Sequence, residues 1–202
     1  KVGFDMHHLE FDGVALVNGV PIDFRWWESS AGGPLQREGR AVANLTEAHR
    51  KALGSLDVAQ FGGAIGVDLR VTQPGGAPMN VDLAADLSDT SISVSQLKWF
   101  KPRGTPGSGI IEATVGDGWT VSVDRFVITA GDLHTAGNLT LEPELKGLRK
   151  LVLEELEFGD FEAKGVYSRD SEKVSLRDFS ARYGPSDIRG YLSVDLTGSK
   201  TS

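Results

Sequence analysis

Residues 79–87 read MNVDLAADL, and apolar side chains occupy every second position of this stretch. Asn80, Asp82 and Asp86 lie between them. Because successive side chains of a β-strand point to opposite faces, this alternation predicts a strand with one apolar face and one face in water. The pattern recurs in IIEATV at residues 110–115 and in most later segments. The sequence therefore predicts a sheet with one apolar face, and its function depends on what covers that face.

Residues 97–109, which precede the second of these strands, read LKWFKPRGTPGSG. This stretch is rich in Pro, Gly, Ser and Thr, so we predict an exposed loop that carries Lys98, Lys101 and Arg103. Its mixture of aromatic and basic side chains suits contact with lipid headgroups. An ordinary loop with Trp99 packed into the core is the preferred interpretation.

The composition limits the classes of function. The chain has 202 residues, 25 glycines, no cysteine and a net charge of −7. Many glycines favour short strands and tight turns, and dispersed acidic charge argues against nucleic acid as a partner. Without cysteine there is neither a disulfide framework nor thiol chemistry. The sequence contains no apolar run long enough to span a membrane, no initiator methionine and no signal-peptide pattern, so we expect a segment of a longer protein.

The chain is predicted to be a single β-rich segment, residues 1–202, with N-terminal strands in residues 1–75 and repeating hairpins in residues 76–202. Asn18-Gly19 between apolar runs indicates a two-residue hairpin. Asp12-Gly13 is interpreted as a further break, and residues 40–43 as a short strand.

One short helix is predicted over residues 45–54. Asn44 or Thr46 can cap its N-terminus, and Gly54 ends it. At about two turns, such a helix is too short to cover a sheet.

A weak internal repeat occupies the C-terminal part. Each copy begins with two apolar residues three positions apart and continues with a glycine turn and a strand that contains one glycine. The copies are VDRFVITAGDLHTAGNL (123–139), LEELEFGDFEAKGVY (153–167) and LRDFSARYGPSDIRGYL (176–192). Such a repeat predicts hairpins stacked edge to edge, none of which can bury its apolar face alone. A change of parity in the first copy also predicts a β-bulge near Asp124 and Arg125.

An antiparallel sheet of this kind must cover its apolar side. Two sheets can face each other, one sheet can close into a barrel, or one sheet can curl into an open groove that contacts an apolar ligand. The strand pattern alone does not rank these solutions. The apolar positions are largely Val, Leu, Ile and Ala, which suit acyl chains better than a ring-shaped ligand.

Several stretches resemble the central region of the large bacterial AsmA-like proteins. VDLAADLSDTSISVSQLKWFKPRGTPG (81–107) resembles their alternating strand followed by a W-x-K-P-x-G loop. DGVALVNGVPIDFRW (12–26) resembles their G-V-P-V-D-x-x-W stretch, and ANLTEAHRKALGSLDV (43–58) resembles their short helical insert before a G-P-V-x-V strand. The chain departs from the simplest family pattern at Gly39, where a longer uninterrupted strand is expected.

This resemblance implies an all-β fold in which a strongly curled antiparallel sheet forms an open groove, the repeating β-groove class. It implies lipid transport: the groove would shield phospholipid acyl chains that move between the inner and outer membranes during outer-membrane biogenesis. It also implies a periplasmic location, with an anchor in the inner membrane supplied by regions outside these residues. No cofactor and no enzymatic activity are expected.

The candidate lipid-binding residues are the apolar-face positions of the predicted strands. They are Val67, Leu69, Val81, Leu83, Leu87, Ile111, Ala113, Val115, Val121, Val123, Leu139, Leu141, Leu192, Val194 and Leu196.

Other constellations give weaker signals. His7 and His8 are neighbours on a predicted strand and point to opposite faces, so a shared metal ion is not expected. A catalytic pair among the acidic residues is not expected either, since they fall on polar faces or in turns. These residues are Asp82, Asp86, Asp124, Asp160 and Asp195.

The alternative function is a closed β-sandwich or barrel that serves as a structural or protein-binding module of the cell envelope. In that case the chain's own side chains would fill the apolar face. An isolated segment with open sheet edges can also form a dimer through an edge strand.

Overall fold

The computed structural model describes residues 2–5, 7–31, 33–54, 60–95, 98–143, 146–170 and 173–195. The predicted groove residue Leu196 lies outside these ranges. The chain separates into two compact units, residues 1–112 and residues 113–202.

Within its described residues, the first unit contains nine strands, one helix and the start of a tenth strand. They are β1 (Val2–Phe4), β2 (His8–Val17), β3 (Val20–Ser29), β4 (Gln36–Leu45), α1 (Glu47–Ala52), β5 (Phe61–Gly63), β6 (Ile65–Gln73), β7 (Met79–Asp86), β8 (Thr90–Val94), β9 (Trp99–Lys101) and β10 (Gly107–Val115), which continues into the second unit. The second unit then has a 3-10 turn (Asp117–Trp119) and the strands β11 (Val121–Ala130), β12 (Leu133–Leu141), β13 (Leu148–Phe158), β14 (Phe161–Arg169), β15 (Lys173–Tyr183) and β16 (Ser186–Asp195).

Thirteen of these strands form one antiparallel sheet that does not close into a barrel. Its order is β1-β2-β3-β4-β6-β7-β10-β11-β12-β13-β14-β15-β16, so neighbours in the sheet follow each other closely in sequence. A second sheet contains only the short strands β5, β8 and β9, in the order β5-β8-β9. The prediction of an open, antiparallel all-β fold with one short helix is confirmed.

Within the first unit, the hairpin at Asn18-Gly19 is confirmed. Both residues have positive φ, 50° and 81°, as a two-residue turn of this type requires. The break predicted at Asp12-Gly13 is wrong, because β2 runs through both residues and pairs with β3 along its whole length. The strand predicted over residues 40–43 is also longer, since β4 extends over ten residues.

Helix α1 is shorter than predicted. Its N-cap is Thr46, whose hydroxyl oxygen accepts a hydrogen bond from the His49 backbone N–H at 3.3 Å. Leu45 and Asn44 belong instead to β4, where they pair with the start of β6. Pairing with a neighbouring strand therefore prevails over helix propensity at these two positions.

Gly39 lies in the middle of β4 and does not interrupt the strand. The Trp26 ring of the neighbouring strand lies against it: a Cβ atom at Gly39 would be 2.7 Å from Trp26 Cε3. A glycine at this position lets a large indole lie flat on the sheet.

The three copies of the repeat in the second unit share one irregularity. The strand register shifts between Val123 and Phe126, between Leu153 and Leu156, and between Leu176 and Phe179. These are the apolar pairs of the repeat, so the bulge predicted near Asp124 is confirmed and recurs in each copy.

Replacement of Gly39 by Ala should lower the free energy of unfolding by about 1–2 kcal/mol, because Trp26 must move off the sheet. Urea denaturation followed by tryptophan fluorescence measures this. Gly13→Ala is the matched control, since its Cβ would meet only the Phe11 ring, at an ordinary 3.8 Å. Equal losses in both variants would contradict the role given to Gly39.

Candidate apolar binding face

The strand registers of the first unit align apolar side chains in rows. In an antiparallel sheet, residues directly opposite each other lie on the same face. One row is Phe11, Trp26, Gly39, Val71 and Val81, and the next is Gly13, Phe24, Ala41, Leu69 and Leu83. We call these two rows, with Ala43, Val67 and Ala85 beside them, the first apolar face.

Aromatic rings occupy the β2–β3 side of the first apolar face. The ring centroids of Phe11 and Phe24 are 5.7 Å apart, and those of Phe24 and Trp26 are 6.2 Å apart with the planes nearly parallel. The β6–β7 side is aliphatic, with Leu69 paired to Leu83. The first apolar face is therefore aromatic on its β2–β3 side and aliphatic on its β6–β7 side.

Most side chains of the first apolar face are half-buried. The fully buried apolar residues described in this unit are Val20, Leu87, Ile92 and Trp99. They belong to the ends of the large sheet's strands and to the small sheet. The middle of the face thus retains contact with solvent in the part of the chain that the structure describes.

The opposite face of the same strands is charged. The Arg40 guanidinium donates two hydrogen bonds to the Asp68 carboxylate, at 2.9 and 2.6 Å, and Arg25 pairs with Asp12 at 2.9 Å. The hydrogen bonds from Arg40 lower the pKa of Asp68, and the same contact raises the pKa of Arg40. The two faces of the sheet are therefore chemically distinct.

A polar row ends the first apolar face on one side. Arg37 donates hydrogen bonds to Glu28 at 3.0 Å and to the Gln73 side-chain oxygen at 2.9 Å. Strand alternation places these three residues on the same face as Trp26 and Val71.

At the other end, Lys101 is only 1% exposed. Its ammonium group donates hydrogen bonds to the backbone carbonyls of Leu87 and Thr90, both at 2.8 Å. Burial lowers the pKa of Lys101, and the nearby Asp86 carboxylate opposes this shift. The ammonium group also donates a hydrogen bond to the Pro102 carbonyl at 3.4 Å. All three acceptors are backbone carbonyls, so the Lys101 side chain cross-links separate segments of the chain.

The prediction of an exposed loop carrying Lys101 is therefore wrong for that residue. Residues 99–101 form strand β9, in which Trp99 and Lys101 are buried and Phe100 is exposed. The preferred interpretation, with Trp99 in the core, is confirmed. Arg103 stays exposed and pairs with Asp89.

The second unit has its own apolar rows. One row crosses six strands: Val123, Leu139, Leu151, Tyr167, Leu176 and Leu192. A row nearer the hairpin turns contains Ile128, Thr135, Leu156, Ala163, Ala181 and Ile188. Between them lies a row in which large residues alternate with glycines: Phe126, Gly137, Leu153, Gly165, Phe179 and Gly190. We call these three rows the second apolar face.

The predicted groove residues fall into both units. Val67, Leu69, Val81 and Leu83 meet on the first apolar face, and Val123, Leu139 and Leu192 lie in one row of the second. Leu141 and Val194 continue their strands on the same faces as Leu139 and Leu192, and Val121 likewise continues the strand of Val123. Leu87 and Ala113 are buried, whereas Ile111 and Val115 are half-buried on β10.

Several members of these rows were not among the residues predicted from the sequence. In the first unit they are Phe11, Phe24 and Trp26. In the second unit they are Leu151, Tyr167 and Leu176. For the residues of the second unit, the sequence signal was the bulge in each repeat. A bulge moves the apolar positions from odd-numbered to even-numbered residues or the reverse, so residues on its two sides have to be counted separately.

Two concavities lie along the strands, and both have mixed linings. The larger, of about 1030 Å³, is in the second unit and is lined by charged residues such as Glu155, Glu157, Lys164 and Arg182. Repulsion from Glu155 is the main cause that raises the pKa of Glu157. The other, of about 680 Å³, is in the first unit and includes Asp23, Asp68 and Asp86. Both concavities also include members of the apolar faces. The larger one includes Leu156, Ala163, Ala181 and Ile188 of the row nearer the hairpin turns, and the smaller one includes Ala43, Val67 and Ala85.

The described residues contain no group of three or more His, Cys, Asp and Glu side chains that could hold a metal ion. The histidine contacts are with ordinary partners: His8 packs edge-on against Trp27, and His134 lies 3.4 Å from Glu155. In the same ranges, no helix is long and apolar enough to cross a membrane.

No protein-family model, curated protein or solved structure matches the chain significantly. The two apolar faces are therefore the structural feature from which a function can be inferred.

Replacement of Lys101 by Met should lower the free energy of unfolding by about 2–4 kcal/mol, because the carbonyls of Leu87 and Thr90 lose their donor while still buried. Chemical denaturation measures the loss. Lys98→Met, at an exposed position three residues earlier, is the control and should change stability by less than about 0.5 kcal/mol. A Lys101→Met variant as stable as the wild type would show that the ammonium is not a structural cross-link.

Proposed function

We propose that the first and second apolar faces bind phospholipid acyl chains and shield them from water during transfer between membranes. The observation that supports this proposal is the set of continuous apolar rows whose members are mostly half-buried. A filled core would bury these side chains, as it buries Leu87 and Trp99. An open apolar face of this extent is typical of a surface that receives an apolar ligand.

The energetics favour such a role. Apolar surface in water costs roughly 25 cal/mol per Å², and this cost applies both to the exposed acyl chain and to the exposed protein face. Contact between the two removes both costs at once. Rows that continue from strand to strand let a chain move along the sheet without leaving apolar surface, so no bond making is needed.

The chemistry of the faces agrees with flexible chains as ligands. Leu69, Leu83 and Val71 offer aliphatic surface without polar groups that would orient a rigid ligand. Charged side chains such as Arg40 and Asp68 lie on the opposite face, where they favour contact with water. The resemblance to the AsmA-like class supports a periplasmic setting with an inner-membrane anchor outside these residues, and lipid transport to the outer membrane as the process.

Leu83→Asp should abolish lipid binding in the first unit, because a carboxylate in the middle of the aliphatic side prevents apolar contact. The measurement is native mass spectrometry of the purified chain for co-purified phospholipid, followed by transfer of a fluorescent phosphatidylethanolamine between liposomes. Ala84→Asp is the matched control, since Ala84 is the next residue on β7 and lies on the opposite, exposed face.

In the second unit, Val121→Asp is the test variant and Ser122→Asp is its control, because successive residues of a strand point to opposite faces. The folded state should survive Leu83→Asp and Val121→Asp with less loss of stability than Leu87→Asp, which places a charge at a buried position. A lipid-free wild-type chain that unfolds with Leu83→Asp as completely as with Leu87→Asp would refute the proposal. That result would favour a structural or protein-binding module whose apolar face is part of its core.

A further inference from the structure

Strand β16 has one paired edge and, among the described residues, one free edge. It is the second strand of the third repeat hairpin, as β12 and β14 are the second strands of the first and second. Both β12 and β14 pair on their outer edges with the bulged strand of the next repeat. The outer-edge contacts of β12 and β14 therefore indicate which kind of strand could pair with the free edge of β16.

The internal glycine of each second strand gives the first observation. At Gly137 a Cβ atom would lie 2.1 Å from the carbonyl oxygen of Val152 on the following bulged strand. At Gly165 it would lie 3.3 Å from the Phe179 Cα atom, again on the following bulged strand. The bulge of the next strand therefore leaves no room for a Cβ atom at Gly137 and makes a tight contact with one at Gly165.

Gly190 occupies the same position in β16, opposite Phe179 of its own hairpin. No atom lies within 4 Å of a Cβ built there, and its backbone does not have the positive φ that requires glycine. Nothing in the described structure therefore explains glycine at this position. The space that the bulged strand fills beside Gly137 and Gly165 is free beside Gly190.

The charges on the polar side give a second observation. Three residues before the internal glycine, β12 carries His134, β14 carries Glu162 and β16 carries Asp187. Across the junction to the next repeat, His134 lies opposite Glu157, and Glu162 pairs with Arg182 at 2.5 Å. Each junction thus places an acidic group opposite a basic one. Asp187 lies opposite Arg182 of its own hairpin, so a basic side chain on a strand paired at the free edge would continue the alternation of charge from Glu162 through Arg182 to Asp187.

Exposure of the apolar side chains gives a third observation. Ile188 and Leu192 of β16 are 62% and 60% exposed. Their counterparts on β14, Ala163 and Tyr167, are half-buried between two neighbouring strands. A seventh strand in these rows would cover the apolar side chains of β16 in the same way.

We propose that the free edge of β16 is a docking site for a partner strand of this same repeat type. That strand is antiparallel to β16, carries two apolar residues three positions apart with a bulge opposite Gly190, and presents a basic side chain to Asp187. The affinity comes from main-chain hydrogen bonds along the edge, and the specificity comes from the bulge and the charge. This site is independent of whether the apolar faces bind lipid.

A peptide with the sequence of β15, KVSLRDFSARY (173–183), is the probe. In the register that β15 uses against β14, its bulge would lie opposite Gly190 and its arginine equivalent to Arg182 would lie opposite Asp187. Fluorescence anisotropy of the labelled peptide with the full chain measures binding. The control peptide, KVSLRFSARY, lacks the residue equivalent to Asp178 and so cannot form the bulge.

Gly190→Val should weaken peptide binding at least tenfold while the melting temperature of the chain stays within about 2 °C of the wild type, since valine suits an exposed strand. The control peptide should bind at least tenfold more weakly than the probe. Absence of probe binding, or equal binding by Gly190→Val or by the control peptide, would overturn the proposal.

A change of charge keeps the test decisive if Gly190→Val alters folding. Asp187→Asn should weaken binding of the probe, whereas a probe in which the arginine equivalent to Arg182 is replaced by glutamine should bind the wild type and the variant equally. Unchanged affinity of the first probe for Asp187→Asn would overturn the assigned register. Sedimentation of the wild-type chain tests a second copy as the occupant. A dimer that Gly190→Val abolishes and that prevents binding of the probe would show that β16 pairs with a second copy instead, and would overturn the proposal.

Discussion

A sheet whose strands alternate strictly has an apolar face that must lie against something other than water. Here the strands of each unit continue that face row by row, from Phe11 to Val81 in the first and from Val123 to Leu192 in the second. Helix α1 has six residues and cannot cover it. Short hairpin connections, a charged opposite face and the absence of a large described core all follow from a sheet built to keep this face open.

Bulges and glycines maintain the face in the second unit. One extra residue in a strand would normally move every later side chain to the other side of the sheet. Here the repeat places apolar residues on both sides of the bulge, as with Leu153 and Leu156, so the face stays apolar across the irregularity. The crowding that results is relieved by glycine on the neighbouring strand. Bulge and glycine therefore complement each other at the two junctions between successive repeats, beside Gly137 and Gly165.

Features that depend on residues close together in the sequence could be predicted, whereas features that depend on contacts between distant residues could not. Alternation and turn residues are local, so the hairpin at Asn18-Gly19 and the bulge beside Asp124 could be predicted from sequence. The length of β4 could not be predicted, because glycine favours a break in a strand and the Trp26 ring that lies against Gly39 belongs to the neighbouring strand. The burial of Lys101 could not be predicted from the sequence either. Its ammonium group donates hydrogen bonds to the carbonyls of Leu87 and Thr90, which lie in a turn that approaches Lys101 only in the folded chain.

The distribution of burial separates stability from the proposed binding surface. In the first unit the tightest packing lies near Lys101 and Arg50, two buried cations that donate hydrogen bonds to main-chain carbonyls of the small sheet and its neighbours. Main-chain pairing supports the rest of the large sheet. A surface that must receive and release an apolar chain cannot also be filled by the protein's own side chains, because the ligand would then compete with the core. Anchoring the fold at one end by polar contacts leaves the middle of the face unfilled, and that is the arrangement an open binding surface requires.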